Sequence, residues 1–549
     1  MKHLKKLSAI FLALAMVFAL SISVSAVAED TTTTGTSYIN IRTSAPNHSY
    51  EAYKILSGTI DPSGDILTAV KWGYSINNGT VDNSDALLTA LKADTEIGSH
   101  FAGVTDASGV ASVLATFSDS SAELNCFAKV VSDYVISGSN LGSCAYDSAN
   151  SQYSVTGLPV GYYIVKDVPT GTLEDGDAIS AYILELLHSA SLNPKSSNVT
   201  FEKKVKDTND SDGTVSAWQD SADYDIGDLV PYLLKATLPT TGFSHYESYK
   251  LVFTDVMSKG LTFAGNVQAT IGGADYTKIV SSDDAGYQAN PANYKDYFVY
   301  STTVDSVSKE TTLTITIEDV KAAGATAGAV VELTYDAQLN TDAVIGVAGN
   351  PNTAKLEYSN NPNGTSLGKT PDDKVTVFTF SVVVHKVDAD EAPLPGAVFT
   401  LEKYKNEDGT WNLVPVDVDV AGTVFSFNGL DDGWYKLTET QEPTGYNPLE
   451  APIYFKVEAA HDTDSADPKL TKLDVKRTLD DGTLDPDNTV FNITDRDPMD
   501  GIVNANIVNH KGATLPSTGG MGTTLFYLAG GLMVACAGVL LVTKKRMSR

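Results

Sequence analysis

Cysteine is close to absent, with three in 549 residues. Cys536 falls in an apolar stretch near the C-terminus, which leaves Cys126 and Cys144. A disulfide between those two is compatible with an oxidising compartment, and the sequence leaves open whether their Cβ atoms meet. No Cys/His spacing suits a zinc site, no glycine-rich phosphate loop occurs, and the eight histidines are scattered without a motif. No metal and no cofactor is therefore expected. No Ser/His/Asp or paired-carboxylate arrangement stands out, which argues against a hydrolase. Positive charge is the second shortage. Only 38 Lys and Arg face 68 Asp and Glu, a formal net charge of −30. Such a surface disfavours nucleic acid and anionic lipid as partners. The acidic residues are dispersed among Val, Thr, Tyr and Phe, so the chain does not read as a disordered acidic polymer.

Long apolar runs occur near the two ends. Lys2, Lys5 and Lys6 precede an apolar core from Leu7 to Leu20, and Ala26-Val27-Ala28 follows as a small-residue cleavage site. That pattern predicts an export signal over 1–28, so fold reasoning begins near Glu29. At the other end stands Leu515-Pro516-Ser517-Thr518-Gly519, then an uncharged stretch from Leu525 to Val542, then Lys544-Lys545-Arg546. The stretch is about long enough to cross a bilayer once, and the basic tail favours the cytoplasmic side. Motif, span and tail together resemble the cell-wall sorting signal of Gram-positive surface proteins. The resemblance implies that a sortase cysteine attacks the Thr518 carbonyl and releases everything from Gly519 onward. A nucleophilic amine would then resolve the thioester and leave the chain covalently attached. Between the two processed ends lie about 490 residues carrying 31 basic and 68 acidic side chains, a net charge of −37. That length suggests about three domains.

Short β-type runs recur between Gly, Asn, Asp and Pro turns: Tyr162 to Lys166, Tyr249 to Thr254, Thr311 to Ile317, Val330 to Tyr335, Lys374 to Val384 and Ala451 to Val457. The texture predicts an all-β chain of tandem Ig-like sandwiches. Ser84 to Lys92 and Ala122 to Ile136 read as helices, which places some helix in the first domain. Clusters at Asn193 to Asn198 and Asn360 to Asp373 read as joints. The expected layout is a first domain at 29–196, a second at 197–374, a third at 375–512 and the sorting signal at 513–549.

The third domain carries the sharpest pattern. Phe380, Val382 and Val384 alternate on one strand face, and Lys386 continues their phase into the core. Val503, Ala505 and Ile507 do the same ahead of Asn509, and Tyr435 and Leu437 ahead of Glu439. An amine, an amide and an acid thus converge on an apolar interior, where an unpartnered charge is costly. Lys386 followed by Leu394-Pro395-Gly396-Ala397-Val398-Phe399 resembles the opening of a CnaB-type domain, and Tyr435 to Tyr446 resembles the E-box of Gram-positive pilins. The resemblance implies an intramolecular isopeptide bond between Lys386 and Asn509, formed with loss of ammonia. Desolvation favours a neutral amine and a protonated acid. A protonated Glu439 is expected to hydrogen-bond the Asn509 amide oxygen and make its carbon more electrophilic.

The second domain resembles the fimbrial isopeptide-forming domain that precedes a CnaB domain in pilin shafts. Val199, Phe201, Lys203 and Val205 share a phase, as do Leu251, Phe253 and Asp255, and Asn352, Ala354, Leu356 and Tyr358. Lys203, Asp255 and Asn352 form the expected second triad, with Asn360 and Asp228 as rivals. Lys195, in Asn193-Pro194-Lys195, resembles the pilin-motif lysine whose amine accepts Thr518 of another subunit; the family's usual aromatic before the Pro is replaced by Asn193. The whole set resembles the major subunit of a sortase-assembled pilus. The implied partners are a sortase, identical subunits, and peptidoglycan or a basal pilin, with a host-surface ligand open. The alternative is a wall-anchored monomeric adhesin.

Overall fold

The computed structural model describes residues 37–61, 66–118, 121–187, 189–193, 198–485, 491–495, 500–512 and 522–547. The N-terminal apolar segment, Lys195 and the Leu515–Gly519 motif lie outside the described residues. Strands dominate, in packed pairs of sheets.

In the first sandwich, Ser37–Ile41 pairs antiparallel with Gln152–Leu158 and parallel with Ala190–Leu192. The facing sheet is built on Tyr50–Ile60 and Gly161–Asp167. Ile39, Ile41, Tyr50, Ala52, Val155, Tyr163 and Val165 fill the space between them. On the outer face of the second sheet, the helices Ser84–Ala93 and Ala122–Tyr134 pack Leu87, Leu91, Phe127 and Val131 against Tyr53, Ile55 and Ile164. Both helices match the apolar periodicity of the sequence. Ser121 caps the second by accepting from Leu124 N, satisfying one of the first-turn donors that a helix cannot pair internally.

The second sandwich encloses Leu251, Phe253, Leu313, Ile315, Val331, Leu333 and Leu356. One of its sheets contains Leu251–Met257 between Thr311–Ile317 and Asn350–Ser359, and the other has Leu229–Thr237 between Thr200–Val205 and Val330–Leu339. The third sandwich has two five-stranded sheets around Phe380, Val382, Val384, Leu401, Phe427, Leu437, Phe455 and Ile507. Phe380–Val387 runs parallel to Ile502–Val508, the first and last long strands of this unit.

Two expectations change here. The run Lys374 to Val384 is two strands, Asp373–Phe378 and Phe380–Val387, broken at Thr379. Val375 and Val377 face the second core, whereas Phe378 and Phe380 face the third, so the chain passes from one sandwich to the next within three residues. The Asn- and Gly-rich stretch 360–373 is not a slack joint. It folds back so that Leu367–Lys369 pairs with Asn350–Ser359, and its backbone holds the first sandwich: Gly176 N donates to Lys369 O at 2.7 Å and Ile179 N to Asn360 O at 2.7 Å. Beyond the third sandwich, Gly522–Met547 is one helix, and its Leu525–Met547 part (mean hydropathy 2.3) is long and apolar enough to cross a membrane.

Candidate functional site

Lys203, Asp255 and Asn352 come from three different strands of the second sandwich and meet in its core, each with no solvent exposure. Their phases explain this: each is an inward position in step with a buried apolar residue two positions away, Val205, Phe253 and Met257, and Ala354 respectively. Lys203 Nζ lies 2.5 Å from Asp255 Oδ2. Tyr335, which the sequence reading did not single out, ties the set together. Its hydroxyl donates to Asp255 Oδ2 at 2.7 Å and accepts from Asn352 Nδ2 at 2.8 Å and from Lys203 Nζ at 3.2 Å. The signal was a tyrosine in phase with Val331, Leu333 and Ala337 on an otherwise aliphatic inward face. Tyr232 stacks on Tyr335 at 5.3 Å between ring centroids, and Lys203 Nζ lies 4.9 Å from the Tyr232 ring.

Burial pushes the Lys203 amine below the ordinary lysine range against the pull of Asp255. The same burial pushes the Asp255 carboxyl up against the pull of Lys203. Both shifts favour a neutral amine beside a neutral acid. Asp255 Oδ1 and Asn352 Oδ1 are buried without a hydrogen-bond partner. A proton on the acid would supply a donor where two acceptors now lack one, and an orphaned buried acceptor costs about 1–3 kcal/mol. The rivals lie elsewhere. Asn360 stands at the first sandwich, with its carbonyl accepting from Ile179 N, and Asp228 lies 3.7 Å from Lys405 of the third.

In the third sandwich Lys386 is fully buried and Asn509 nearly so, on adjacent parallel strands, with Asn509 N donating to Val387 O at 3.2 Å. Lys386 Nζ donates to the carbonyls of Val387 (3.0 Å) and Ile507 (3.1 Å) rather than forming an ordinary ion pair with Glu439. Burial brings its pKa down to about 8, with Glu439 and Asp388 opposing the fall. Glu439 is half-buried. The expected contact to the amide oxygen is corrected: Asn509 Nδ2 donates to both Glu439 oxygens at 3.0 Å and to Asn447 O at 2.9 Å, while Asn509 Oδ1 is buried without a partner. The reason is that Asn447 O and the carboxylate converge on the same side of the amide, which only its nitrogen can satisfy. Glu439 therefore sits against the nitrogen that would leave as ammonia.

Cys126 and Cys144 are separate thiols, so the open question of a disulfide is answered in the negative. Cys126 faces Asp94 from a helix, and Cys144, on a strand beside Gln152–Leu158, accepts from Tyr50 N of the facing sheet.

A third buried lysine, Lys403, closes the seam between the second and third sandwiches. Its Nζ lies 2.7 Å from Asp210, 2.7 Å from Asp225 and 3.1 Å from Asp431. Backbone bonds cross the same seam, from Ile226 N to Gly429 O, Asp220 N to Thr463 O and Asn406 N to Asp210 O.

A family model described as Gram-positive pilin backbone subunit 2, Cna-B-like domain, matches residues 226–362. One described as SpaA, prealbumin-like fold domain, matches 380–470, and one for the LPXTG cell wall anchor motif matches 507–548. The chain thus matches a Gram-positive pilin backbone domain, a prealbumin-like domain and a cell wall anchor in that order. The pilin-backbone match contains Asp255 and Asn352 and begins after Lys203; the prealbumin-like match contains Lys386 and Glu439 and ends before Asn509. The trypsin-resistant surface T6 protein of Streptococcus pyogenes serotype M6 is 24% identical over 377 residues, which cover 58% of this chain and 65% of that protein. The matched stretch thus spans less than two thirds of that relative. The solved T6 backbone pilin of the same organism superposes with a TM-score of 0.50 at 18% identity, covering 87% of this chain and 99% of that one. The full-length major pilin SpaD of Corynebacterium diphtheriae covers 88% of this chain and 99% of its own at 16% identity, with a TM-score of 0.44. The likeness to the T6 structure is one of fold.

Proposed function

We propose that this chain is the repeating shaft subunit of a sortase-assembled pilus on a Gram-positive cell surface, stiffened by Lys203–Asn352 and Lys386–Asn509 isopeptide bonds. The observation that carries the reading is the solvent-excluded Lys203, Asp255 and Asn352 set. An ordinary sandwich has no reason to bury an amine, an acid and an amide together, because each is costly to desolvate. In each bond the lysine nitrogen joins the asparagine side-chain carbon and ammonia leaves, so each site reacts once. The Lys386–Asn509 link, at the first and last long strands of its sandwich, would carry a pulling load past the hydrogen-bonded ladder, and the Lys203–Asn352 link would tie the two sheets of its sandwich together. A sortase would join Thr518 of one copy to Lys195 of the next, and the base of the polymer to peptidoglycan or a basal pilin.

Intact-mass measurement of the secreted chain, with mapping of cross-linked tryptic peptides, tests the bonds. Two ammonia losses at the named pairs are expected, and an unmodified mass would remove the isopeptide reading. On cells, Lys195→Ala is expected to abolish the high-mass ladder. A ladder unchanged in that variant would rule out Lys195 as the acceptor.

A further inference from the structure

We propose that Tyr335 is a catalytic proton relay for the Lys203–Asn352 bond, handing a proton to the departing amide nitrogen. The inference rests on the isopeptide reading of this site.

Forming the bond poses two separate proton problems. Lys203 must shed protons to become a nucleophile and then an amide, and Asn352 Nδ2 must gain one to leave as ammonia. Asp255 Oδ2, 2.5 Å from Nζ, is placed for the first transfer. The Tyr335 hydroxyl accepts from Nδ2 at 2.8 Å, and the same oxygen is 3.2 Å from Nζ and 2.7 Å from Asp255 Oδ2, while Asp255 and Tyr232 also interact with the Asn352 amide. One oxygen therefore touches the nucleophile, the acid and the leaving group.

An amide nitrogen has no lone pair to offer, so at rest Nδ2 donates to the phenol and the phenol donates to Asp255. Once Nζ bonds to the Asn352 carbon, that carbon becomes tetrahedral and Nδ2 regains its lone pair. The phenol can then give its proton to Nδ2 while taking one from Nζ. Starting from ionised Lys203 and Asp255, one lysine proton goes to Asp255, one passes through Tyr335 to Nδ2, and one stays on the new amide. The carbon–Nζ bond forms, the carbon–Nδ2 bond breaks, neutral ammonia departs and Tyr335 ends as it began. Burial pushes the phenol well above its ordinary range, with Asp255 adding to the effect, so the hydroxyl holds its proton until the attack.

The third sandwich divides the work differently. There Glu439 itself contacts Asn509 Nδ2 with both oxygens, so the acid can protonate the leaving group directly. The Lys386–Asn509 bond is thus an internal control in the same molecule.

The test is time-resolved intact-mass and cross-link mapping of the full chain made by cell-free synthesis. In Tyr335→Phe, Lys386–Asn509 is expected to form at the wild-type rate and Lys203–Asn352 to slow by about 10²-fold or more, the usual worth of a positioned proton donor. A fluorinated tyrosine at position 335 keeps the packing but acidifies the phenol, and is expected to move the pH dependence of Lys203–Asn352 formation to lower pH. A merely structural role would not produce that shift, so this readout decides the matter if the Phe variant fails to fold. Wild-type speed in Tyr335→Phe, or an unmoved pH dependence with the fluorinated residue, would overturn the relay. A wild-type chain in which Lys203 never links would instead remove the isopeptide reading beneath it.

Discussion

Three lysines are buried among the described residues, and their surroundings divide them into two kinds. Lys203 and Lys386 have amines driven down by burial, which outweighs the pull of Asp255 and Asp373 on the first and of Glu439 and Asp388 on the second. At Lys403 burial also pulls the amine down, but Asp431, Asp225 and Asp210 more than offset it and hold it well above the ordinary range. An ammonium has no lone pair, so Lys403 clamps the seam as a charge, whereas the proposed bonds need the other two as neutral amines. Glu439→Ala should leave Lys386 and Asn509 unlinked, adding the mass of one ammonia, while Lys203–Asn352 still forms. Opening a loop on the order of 100 residues costs about 4–5 kcal/mol by chain entropy, so the third sandwich should melt earlier by calorimetry. A Glu439→Ala chain with the bond intact would sink the role given to that acid. Most of this chemistry is legible in the sequence, because strand period two tells which side chains face inward. Lys403 shares a phase with Phe399 and Leu401 and carries the same signal as Lys386. Its partners Asp210 and Asp225 belong to another sandwich, and no local pattern could pair them.

At the scale of elements, β-type runs located several of the strands and apolar periodicity the two longer helices, and the reading failed where two sandwiches abut. Val375, Val377, Phe378 and Phe380 are all buried, so the apolar run reads as one strand although it serves two cores. The abutment depends on two glycines. Gly346 and Gly501 adopt φ of 88° and 71°, a region costly for other residues. A Cβ at Gly501 would come within 2.1 Å of Gly346 Cα, and one at Gly346 within 2.0 Å of Asp500 O. Backbone meets backbone there, and neither side can rotate away. Gly501→Ala should therefore destabilise the chain by at least about 1–3 kcal/mol, the cost of one strained position, and loosen the loop around Gly346. Thermal unfolding together with hydrogen exchange at Gly346 N and Gly349 N would measure both. Unchanged protection there would mean that the close approach is not maintained in solution.

At the scale of the whole molecule, a cluster of acids stands where the second and third sandwiches meet. Asp207, Asp210, Asp223, Asp225 and Asp228 face Asp431 and Asp432, with Lys403, Lys405 and His461 as counter-charges. Burial, reinforced by neighbouring carboxylates, pushes Asp432 up to about 7; burial also lifts Asp207 to about 6, against the pull of His461. A carboxyl raised above its unfolded value contributes stability that is fully present below pH ~4 and lost as pH rises through its folded pKa. At His461 burial lowers the pKa, but Asp207 and Asp223 outweigh it and hold the ring up to about 10. That contribution is present below pH ~6.5 and lost as pH climbs towards 10. Both signs agree: the seam is tight in mild acid and weakens in alkali, in two stages. Hydrogen exchange at Ile226 N, Asp220 N and Asn406 N, which donate across the seam, should show protection falling between about pH 5 and about pH 9 after correction for intrinsic rates, while Leu234 N and Leu437 N inside the sandwiches hold theirs. Asp432→Asn keeps an acceptor for Asn209 and removes the ionisation, so it should flatten the first stage and leave the His461 stage in place. An equal loss of protection at seam and core would make the effect global unfolding, and the seam would then have no pH response of its own. A shaft built with such seams would be stiffest in acid, because the protons that neutralise its crowded carboxylates also hold adjacent sandwiches in line.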